Sequence, residues 1–593
     1  MTIPKNFENA QTTSYSRLKI WFCDKLRTAY KNATTLIQIS IALAAIFQIS
    51  CETKPALPTF KEAFLDDEEK VADFFQNRFP EEDLIALDSG WFFLDMDSLP
   101  GIHRTWPEHY QQTSAVSLPH RLPYPNHSMW YQWEGMLEPG LLLINADDGA
   151  QLRINGKRIL RSPEGNFFSQ DAQGMVRLEI RVVNNAMAGG LRAVHLFPQA
   201  SVKTWEENKI QIRQEVLIKR KFELLQDSAL RNELEELSFS EQATLLSEYP
   251  ILFTLPVLII GTDGKPFVRW VSESAGKAVL QLDNGKRLET SSSDGIFTFN
   301  LEHRTGTSFK LYQGKSYQGS YSMEVRDFSD GIKIALWGDS QGGWQTFRRI
   351  ADGIGLHNAD LSVGAGDLVN NGSEDWAYPR FLQLLSRMQT PQLLVPGNHD
   401  YDGYYDDLYA EQMNNYLFTP GQSTFGMQQF GLASVITLDP NENFPVSVPE
   451  NTRQWKWLKE QMESETWKNS RWKILVVHQP PYSQGWPGYE GEWSMRQLIV
   501  PYLHEGLIDL VVAGHTHDYE RLTLTFSENP VHFLVVGGAG GGLEPPDAQS
   551  DQPKMDRLIK KHHFGILDID SSRMHFSAYD LKGVLLDEIT IRK

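Results

Sequence analysis

The sequence predicts a multidomain chain: a β-sandwich, a helical linker and a second β-sandwich, followed by a C-terminal α/β domain. Three observations predict it. Short strand-like runs with turn dipeptides fill residues 84–200 and again 250–328. A stretch dense in Glu, Lys, Arg, Leu and Gln, without a glycine from Val202 to Tyr249, separates them. After residue 329, apolar runs alternate with helical segments, and five of these runs end in polar residues. At 593 residues the chain exceeds what one core can bury. Its 41% hydrophobic and 11% aromatic content suffices for packed domains and excludes a mainly disordered protein. The net charge of −19 excludes a basic nucleic-acid-coating surface, so no nucleic-acid partner is expected. It leaves a phosphate substrate open, because metal ions can supply the positive charge that Lys and Arg do not.

The first element is a leader. Arg17, Lys19, Lys25, Arg27 and Lys31 precede an apolar stretch, Leu36 to Ile49, which ends at Ser50-Cys51. Basic residues before a short apolar run describe an export signal, and the run falls short of the about 20 residues a membrane span needs. The cysteines are Cys23 and Cys51, so the body of the protein can hold neither a disulfide framework nor a thiolate site. The small residue before Cys51 resembles the cleavage site of bacterial lipoproteins, although Gln48 stands where that motif has Leu. The resemblance implies a signal peptide over 1–50, a lipid on Cys51 and a tether over 51–83. It also implies a bacterial cell-envelope location, anchored to the membrane on the periplasmic side or the cell surface. An uncleaved signal anchor and a buried helix are the alternatives.

Residues 84–200 follow. Ala146 to Leu160 (ADDGAQLRINGKRIL) sets Asp-Asp-Gly and Asn-Gly turns around an alternating strand, a strong hairpin signal. With Trp91, Met129 to Gly135 (MWYQWEG) and Leu178 to Asn185, the series resembles a galactose-binding-like jelly roll. That implies glycan or substrate binding through Trp and Tyr faces. The favoured expectation is plainer: the aromatics fill a core and the domain braces its neighbour. Residues 201–249 read as a helical connector with solvated outer faces. Residues 250–328, with turns at TDGK, DNGK and SSDG, fit a fibronectin III-like sandwich.

The final domain, 329–593, carries the chemistry. IKIALWGDS, DLSVGAGDLV, QLLVPGNHD, KILVVHQPPY and LIDLVVAGHTH each read as a buried strand ending in an acid, an amide or a histidine. In such sheets function collects at the carboxyl ends of strands. A Gly-Asp after one strand, or one His after one apolar run, is commonplace. Five strand ends delivering Asp339, Asp367, Asn398-His399, His478 and His515-Thr516-His517 in order are not.

These residues resemble the calcineurin-like metallophosphoesterase superfamily. The strings GHTHDYER, HQPPYS and QWKWL are similar to its purple acid phosphatase-like branch. The resemblance implies an αββα four-layer fold and a hydrolase of phosphoric esters with two divalent ions (Fe, Mn or Zn). Carried over, Asp339 and His517 hold the first metal, and Asn398, His478 and His515 the second. Asp367 bridges both, since a carboxylate has an oxygen for each of two ions about 3.5–4 Å apart. Imidazoles with carboxylate and amide oxygens suit these metals better than calcium. A metal-bridged hydroxide then attacks phosphorus while His399 assists the leaving group, with Asp400 placed to orient His399.

Two departures matter. The branch has a colour-giving tyrosine where this chain has Asn370, and many superfamily members have a histidine at the position of Gln341. Gln341 can offer an amide oxygen or hold a water, so the first site should bind more weakly and hold an uncoloured divalent ion. Further along, the loop Tyr482 to Trp493 (YSQGWPGYEGEW) replaces the substrate-facing histidines of plant enzymes. Trp486 and Tyr489 are its candidate substrate contacts, beside Asn370 and Arg521; loop packing is the alternative for the two rings, and an acid partner for Arg521. The glycine-rich Val535 to Gly542 lacks the Gly-Lys-Ser/Thr of a nucleotide loop. The expected substrate is a small phosphoester or a glycan-linked phosphate, with monoesters favoured. A phosphodiesterase with the same cage is one alternative. The other is a glycan-binding surface lipoprotein with a degenerate metal site.

Overall fold

Among the described residues the strands pair into five sheets, some with period-two alternation and some buried on both faces. The computed structural model describes residues 79–98, 106, 113–146, 149–162, 167–184, 188–301, 307–323, 328–374, 376–401, 410–443 and 445–593. The leader, Cys51 and the tether up to residue 78 lie outside them.

From 85 to 198 the chain folds into two antiparallel sheets. One runs in the order Ser114–Val116, Trp91–Asp97, His127–Leu137, Gly174–Asn184, Ala150–Ile154, Lys157–Ile159. The other joins Ile85–Ala86, Gly189–Pro198, Gly140–Ala146 and Phe167–Gln170, with His120–Leu122 on the far edge of Gly189–Pro198. The Asn155-Gly156 turn has φ of +49° and +77°, the paired left-handed residues of a two-residue hairpin loop. Trp91, Met129, Tyr131, Trp133, Leu152 and Ile180 meet between the sheets. Trp91, Trp130, Tyr131 and Trp133 are all buried, so these rings are core and offer no stacking face to a glycan.

Three helices follow, Gln199–Leu224, Ser228–Glu235 and Phe239–Leu246. The last opens with a capping box in which Ser238 and Glu241 exchange hydrogen bonds with the backbone. The long helix is tied onward by buried Lys221, whose ammonium lies 2.6 Å from Glu273 and also donates to the Leu246 carbonyl.

Seven strands between 257 and 323 form two sheets. Ile296–Asn300, Pro266–Val271 and Val257–Ile260 make one; Arg287–Ser292, Gly276–Leu282, Thr307–Gln313 and Ser316–Met323 make the other. The first does not end at its own edge. Ile259 pairs in parallel with Gln392, so it runs on into a nine-stranded sheet through Gln392–Val395, Leu361–Ala365, Ile332–Trp337, His563–Ile569, Arg573–Asp580 and Leu585–Arg592.

A seven-stranded sheet completes the C-terminal domain, in the order Gly426–Phe430, Ala433–Leu438, Trp472–Val477, Leu510–Ala513, Asn529–Val536, Tyr519–Phe526, Arg557–Ile559. Alternation along Ile332–Trp337 shows how the layers arise. Ile334 and Leu336 face the second sheet with Val476, Val512 and Leu534. Ala335 and Trp337 face outward onto helices Trp344–Leu356 and Ala377–Leu385. Likewise Leu475 and Val477 of the second sheet pack outward on helices Arg453–Glu463 and Trp493–His504. The result is helix, sheet, sheet, helix, each layer burying one apolar face. Each sheet contains a run of four neighbouring parallel strands, and the carboxyl ends of Ile332–Trp337, Leu361–Ala365, Gln392–Val395, Trp472–Val477 and Leu510–Ala513 converge on one site.

Candidate metal centre

Each strand end turns sharply, and the turns aim the functional side chains. Asp339, Gln341, Asp367 and His515 have φ of +62°, +39°, +51° and +74°, left-handed backbone that costs about 1–3 kcal/mol per non-glycine residue. Four such residues in one site are held by their surroundings. The Asp339 N–H donates to the Gly366 carbonyl at 2.9 Å, and the Gln341 N–H to the Asp367 carbonyl at 3.1 Å. The His515 N–H donates to both Asp339 carboxylate oxygens, each at 2.9 Å. Glycines leave the room: a Cβ on Gly514 would lie 2.3 Å from Asp339 Oδ2, and one on Gly366 would lie 2.4 Å from His478 Nδ1.

Asp367 stands at the centre. One oxygen accepts the His399 N–H at 2.9 Å; the other accepts Gln341 Nε2 at 2.7 Å and lies 3.2 Å from His478 Nε2. The second contact is informative. His478 Nδ1 is 2.8 Å from the Ala365 carbonyl, which can only accept, so Nδ1 carries the ring proton and Nε2 a lone pair. In the neutral ring this lone pair faces a buried carboxylate oxygen, and a cation held by both would satisfy the pair. His517 repeats the logic. Its Nδ1 is 2.7 Å from the Gly542 carbonyl, and among the described residues its buried Nε2 has no hydrogen-bond partner, as is true of His478 Nε2. One ligand atom from each of Asp367, His478 and His515 lies within 4.8 Å of the others.

The electrostatics agree. Burial, then the neighbouring Asp367, pushes the Asp339 carboxyl well above the usual carboxylate range. At Asp367 burial pushes the same way, but the imidazoles that surround it, His478 first, outweigh it and hold the carboxyl low. Burial lowers His515 well below the ordinary histidine value and His517 to about 4, so both rings stay neutral, the form that binds metal. Buried carboxylates held against neutral imidazoles with inward lone pairs are the donor set of a transition-metal site.

Asn398 sits beside this group with 3% exposure, and Gln479 Nε2 donates to its Oδ1 at 3.2 Å. Gln479 is itself aligned by Asn441 Oδ1 at 2.6 Å. Neither residue was singled out from sequence; the first stands next to His478, and that adjacency is its only signal.

The expected partners of three residues are corrected. Asp400 does not orient His399. It is buried with its Oδ2 accepting the N–H groups of Gly397 at 2.8 Å and Leu368 at 3.2 Å, and its Oδ1 accepting Tyr378 Oη at 3.0 Å. His399 is instead turned by the Asn370 carbonyl, 2.8 Å from its Nδ1, while its Nε2 lies 4.0 Å from Asp367 Oδ2. Asn370 thus acts through its backbone, and it is exposed. Arg521 is not a substrate contact: its guanidinium pairs with Asp587 at 2.7 Å and Asp556 at 3.4 Å.

Trp486 and Tyr489 do reach the site. Both are 6% exposed, and their ring centroids lie 5.0 and 5.5 Å from that of His515, with Trp486 also 6.0 Å from His517. Their loop is fixed from below. Glu520 accepts Ser483 Oγ at 2.8 Å and the Gln484 N–H at 2.9 Å, and Lys560 lies 3.3 Å from Asp518 and donates to the Gly485 carbonyl. The glycine-rich loop closes the other side, where the Gly541 N–H donates to the Asp339 carbonyl at 2.7 Å.

Comparison with known proteins agrees with this geometry. Residues 332–519 match the model of the calcineurin-like phosphoesterase family. Purple acid phosphatase 21 of Arabidopsis thaliana is 25% identical over 301 residues, covering 47% of this chain and 67% of the relative. Fe(3+)-Zn(2+) purple acid phosphatase 12 of the same plant is 28% identical over 234 residues, covering 35% and 48%. The matched part of the chain thus covers from 48% to 67% of the length of these relatives. Among solved structures, a purple acid phosphatase from yellow lupin (Lupinus luteus) seeds aligns with 14% identity and a TM-score of 0.48, covering 79% of this chain and 92% of that one.

Proposed function

We propose that the calcineurin-like phosphoesterase domain this chain carries at residues 332–519 is a working hydrolase of phosphoric esters that takes two divalent metal ions. The observation that carries the reading is the meeting of Asp367, His478 and His515 ligand atoms within 4.8 Å, with the His478 lone pair facing a carboxylate oxygen. Asp367, Asn398, His478 and His515 would hold one ion; Asp339, Asp367 and His517 the other. Gln341 spends its amide N–H on Asp367, which leaves its oxygen for the second ion or for a water. Such ions supply positive charge at the phosphoryl oxygens and an acidified water as nucleophile.

The remaining work falls to the protein. Trp486 and Tyr489 exclude bulk water beside His515. His399, held by the Asn370 carbonyl and 28% exposed at its side chain, meets the substrate and delivers a proton from Nε2 to the departing oxygen. Monoesters are the favoured substrates. The two N-terminal sandwiches are read as galactose-binding-like and fibronectin III-like modules that brace the catalytic domain. The chain is read as exported and lipid-anchored at Cys51. No helix among the described residues is long and apolar enough to cross a membrane. Cys51→Ser should move the protein from the detergent-extracted membrane fraction to the soluble one; unchanged membrane retention would count against the anchor.

Metal analysis combined with hydrolysis of nitrophenyl phosphate and its bis ester tests the reading. Asp367→Ala should lose metal and activity together. His399→Ala should keep its metal and lose kcat by about 10²- to 10⁴-fold. A metal-loaded wild type inactive on both esters would favour the binding-protein alternative.

A further inference from the structure

Glu492 is a carboxylate with 7% exposure on the loop that ends the Trp486–Tyr489 wall. Its backbone N–H donates to the Pro480 carbonyl at 2.7 Å, two residues from His478. Its Oε1 caps helix Trp493–His504 by accepting the Ser494 N–H at 3.2 Å and hydroxyl at 3.1 Å. Its Oε2 accepts from Asn126 Nδ2 at 3.3 Å, a residue 366 positions away in the N-terminal sandwich. Burial raises the Glu492 pKa against all these donors, so the carboxylate depends on them. Glu492 lies three residues beyond Tyr489 on the same loop, and the Tyr489 ring packs on that of His515.

The sandwich presents Asn126 from a built loop. Asn126 has φ +54°, a left-handed conformation Asn tolerates better than most residues. Asn184 donates to the Tyr124 carbonyl at 2.8 Å, and His127 Nδ1 donates to the Pro125 carbonyl at 2.7 Å. The route from the N-terminal sandwich to the metal centre therefore runs from Asn126 to Glu492, back along the Glu492 loop to Tyr489, and from its ring to His515.

Resting on the hydrolase reading above, we infer that the N-terminal sandwich completes the substrate wall, with Asn126 as a positioning residue that sets Trp486 and Tyr489 through Glu492. Trp486 Nε1 and Tyr489 Oη are buried with no hydrogen-bond partner among the described residues. Buried donors of this kind beside a reaction centre fit a substrate with oxygen acceptors. Among the described residues no Lys or Arg pairs with Asp339 or Asp367, whose ion-pair partners are histidines. The wall is neutral and aromatic, which suits an ester whose leaving group is an uncharged ring rather than a polyphosphate.

Full-length variants test it. Asn126→Gly keeps the left-handed turn and removes only the amide. Asn126→Asp sets a second carboxylate against Glu492. Losing a hydrogen bond of ordinary net strength, as expected for one as long as 3.3 Å, corresponds to about a three- to tenfold effect. Both variants should raise KM for nitrophenyl phosphate by about that factor, with kcat and metal content unchanged and KM for methyl phosphate unmoved. The double variant Asn126→Asp, Glu492→Gln exchanges donor and acceptor and should restore KM. Amides of residues 483–492 should also exchange hydrogen faster in Asn126→Gly, a readout that needs no activity. If the wild type proves inactive, the hydrolase reading falls and hydrogen exchange alone decides the positioning role. Unchanged exchange, unchanged KM or failure of the double variant to rescue would overturn the inference.

Discussion

Asp400 offers the sharpest test of how the centre is held. Its Oδ2 accepts two backbone N–H groups, from Gly397 beside Asn398 and from Leu368 beside Asp367, and its Oδ1 accepts Tyr378 Oη. Asp400→Ala strands both amides in a buried site at about 1–3 kcal/mol each, so about 2–6 kcal/mol of stability should be lost. Asp400→Asn can keep every bond by turning its amide oxygen to the two N–H groups and its NH₂ to Tyr378, and should cost under about 1 kcal/mol. The pH dependence has a definite sign. Burial, then the charge of Asp367, raises the folded Asp400 pKa to about 7 from 3.8. A group raised on folding stabilises below its unfolded value and loses that contribution as pH rises through the folded value. The metal-free wild type should therefore weaken as pH climbs from 3.8 through about 7, and Asp400→Asn should not share this loss. Urea unfolding in chelator on either side of pH 7, with kinetics of the metal-loaded forms, measures both effects. An Asp400→Asn protein as inactive as His399→Ala with its metal retained would refute this account and return Asp400 to a role on His399.

Gly366→Ala drives a Cβ into the His478 ring and should weaken metal binding about 10- to 100-fold by loosening that imidazole from the Ala365 carbonyl, as titration with zinc would show. Arg521→Ala should lower the midpoint of thermal unfolding, because the buried end of Asp587 loses its 2.7 Å ion-pair partner and keeps only Arg557 at 3.3 Å, yet leave kcat/KM within about twofold. A large loss of kcat/KM in the folded variant would restore Arg521 as a substrate contact. Graded chelation should release the ion at Asp339 and His517 first, since Gln341 contributes at most a neutral amide oxygen there. The loaded protein should be colourless, and a visible charge-transfer band would contradict the loss of the phenolate at Asn370.

The cage was legible because its code is local. A buried parallel strand that ends in a tight turn places one side chain at the sheet end, in four cases just after a glycine, and five such ends spell Asp339, Asp367, Asn398, His478 and His515-x-His517 in the chain itself. The Asn155-Gly156 hairpin and the glycine-free connector were legible for the same reason, since turn chemistry and helical period act over a few residues. Partners were not. Asp400 lies next to His399 in sequence yet turns inward to the Gly397 and Leu368 amides, while a backbone carbonyl from Asn370, which carries no side-chain signal, holds the histidine. Arg521 sits four residues past His517 but on a strand where its side chain meets Asp587 of another sheet. Whether Trp486 and Tyr489 were wall or loop packing depended on a buried network from Ser483 to Lys560, and on Asn126 reaching Glu492 across 366 positions. Strand order, sheet stacking and the docking of one domain on another set such distances. They arise from burying apolar faces that many sequences could present, so the ligands were written in the chain and their supports were decided by the tertiary structure.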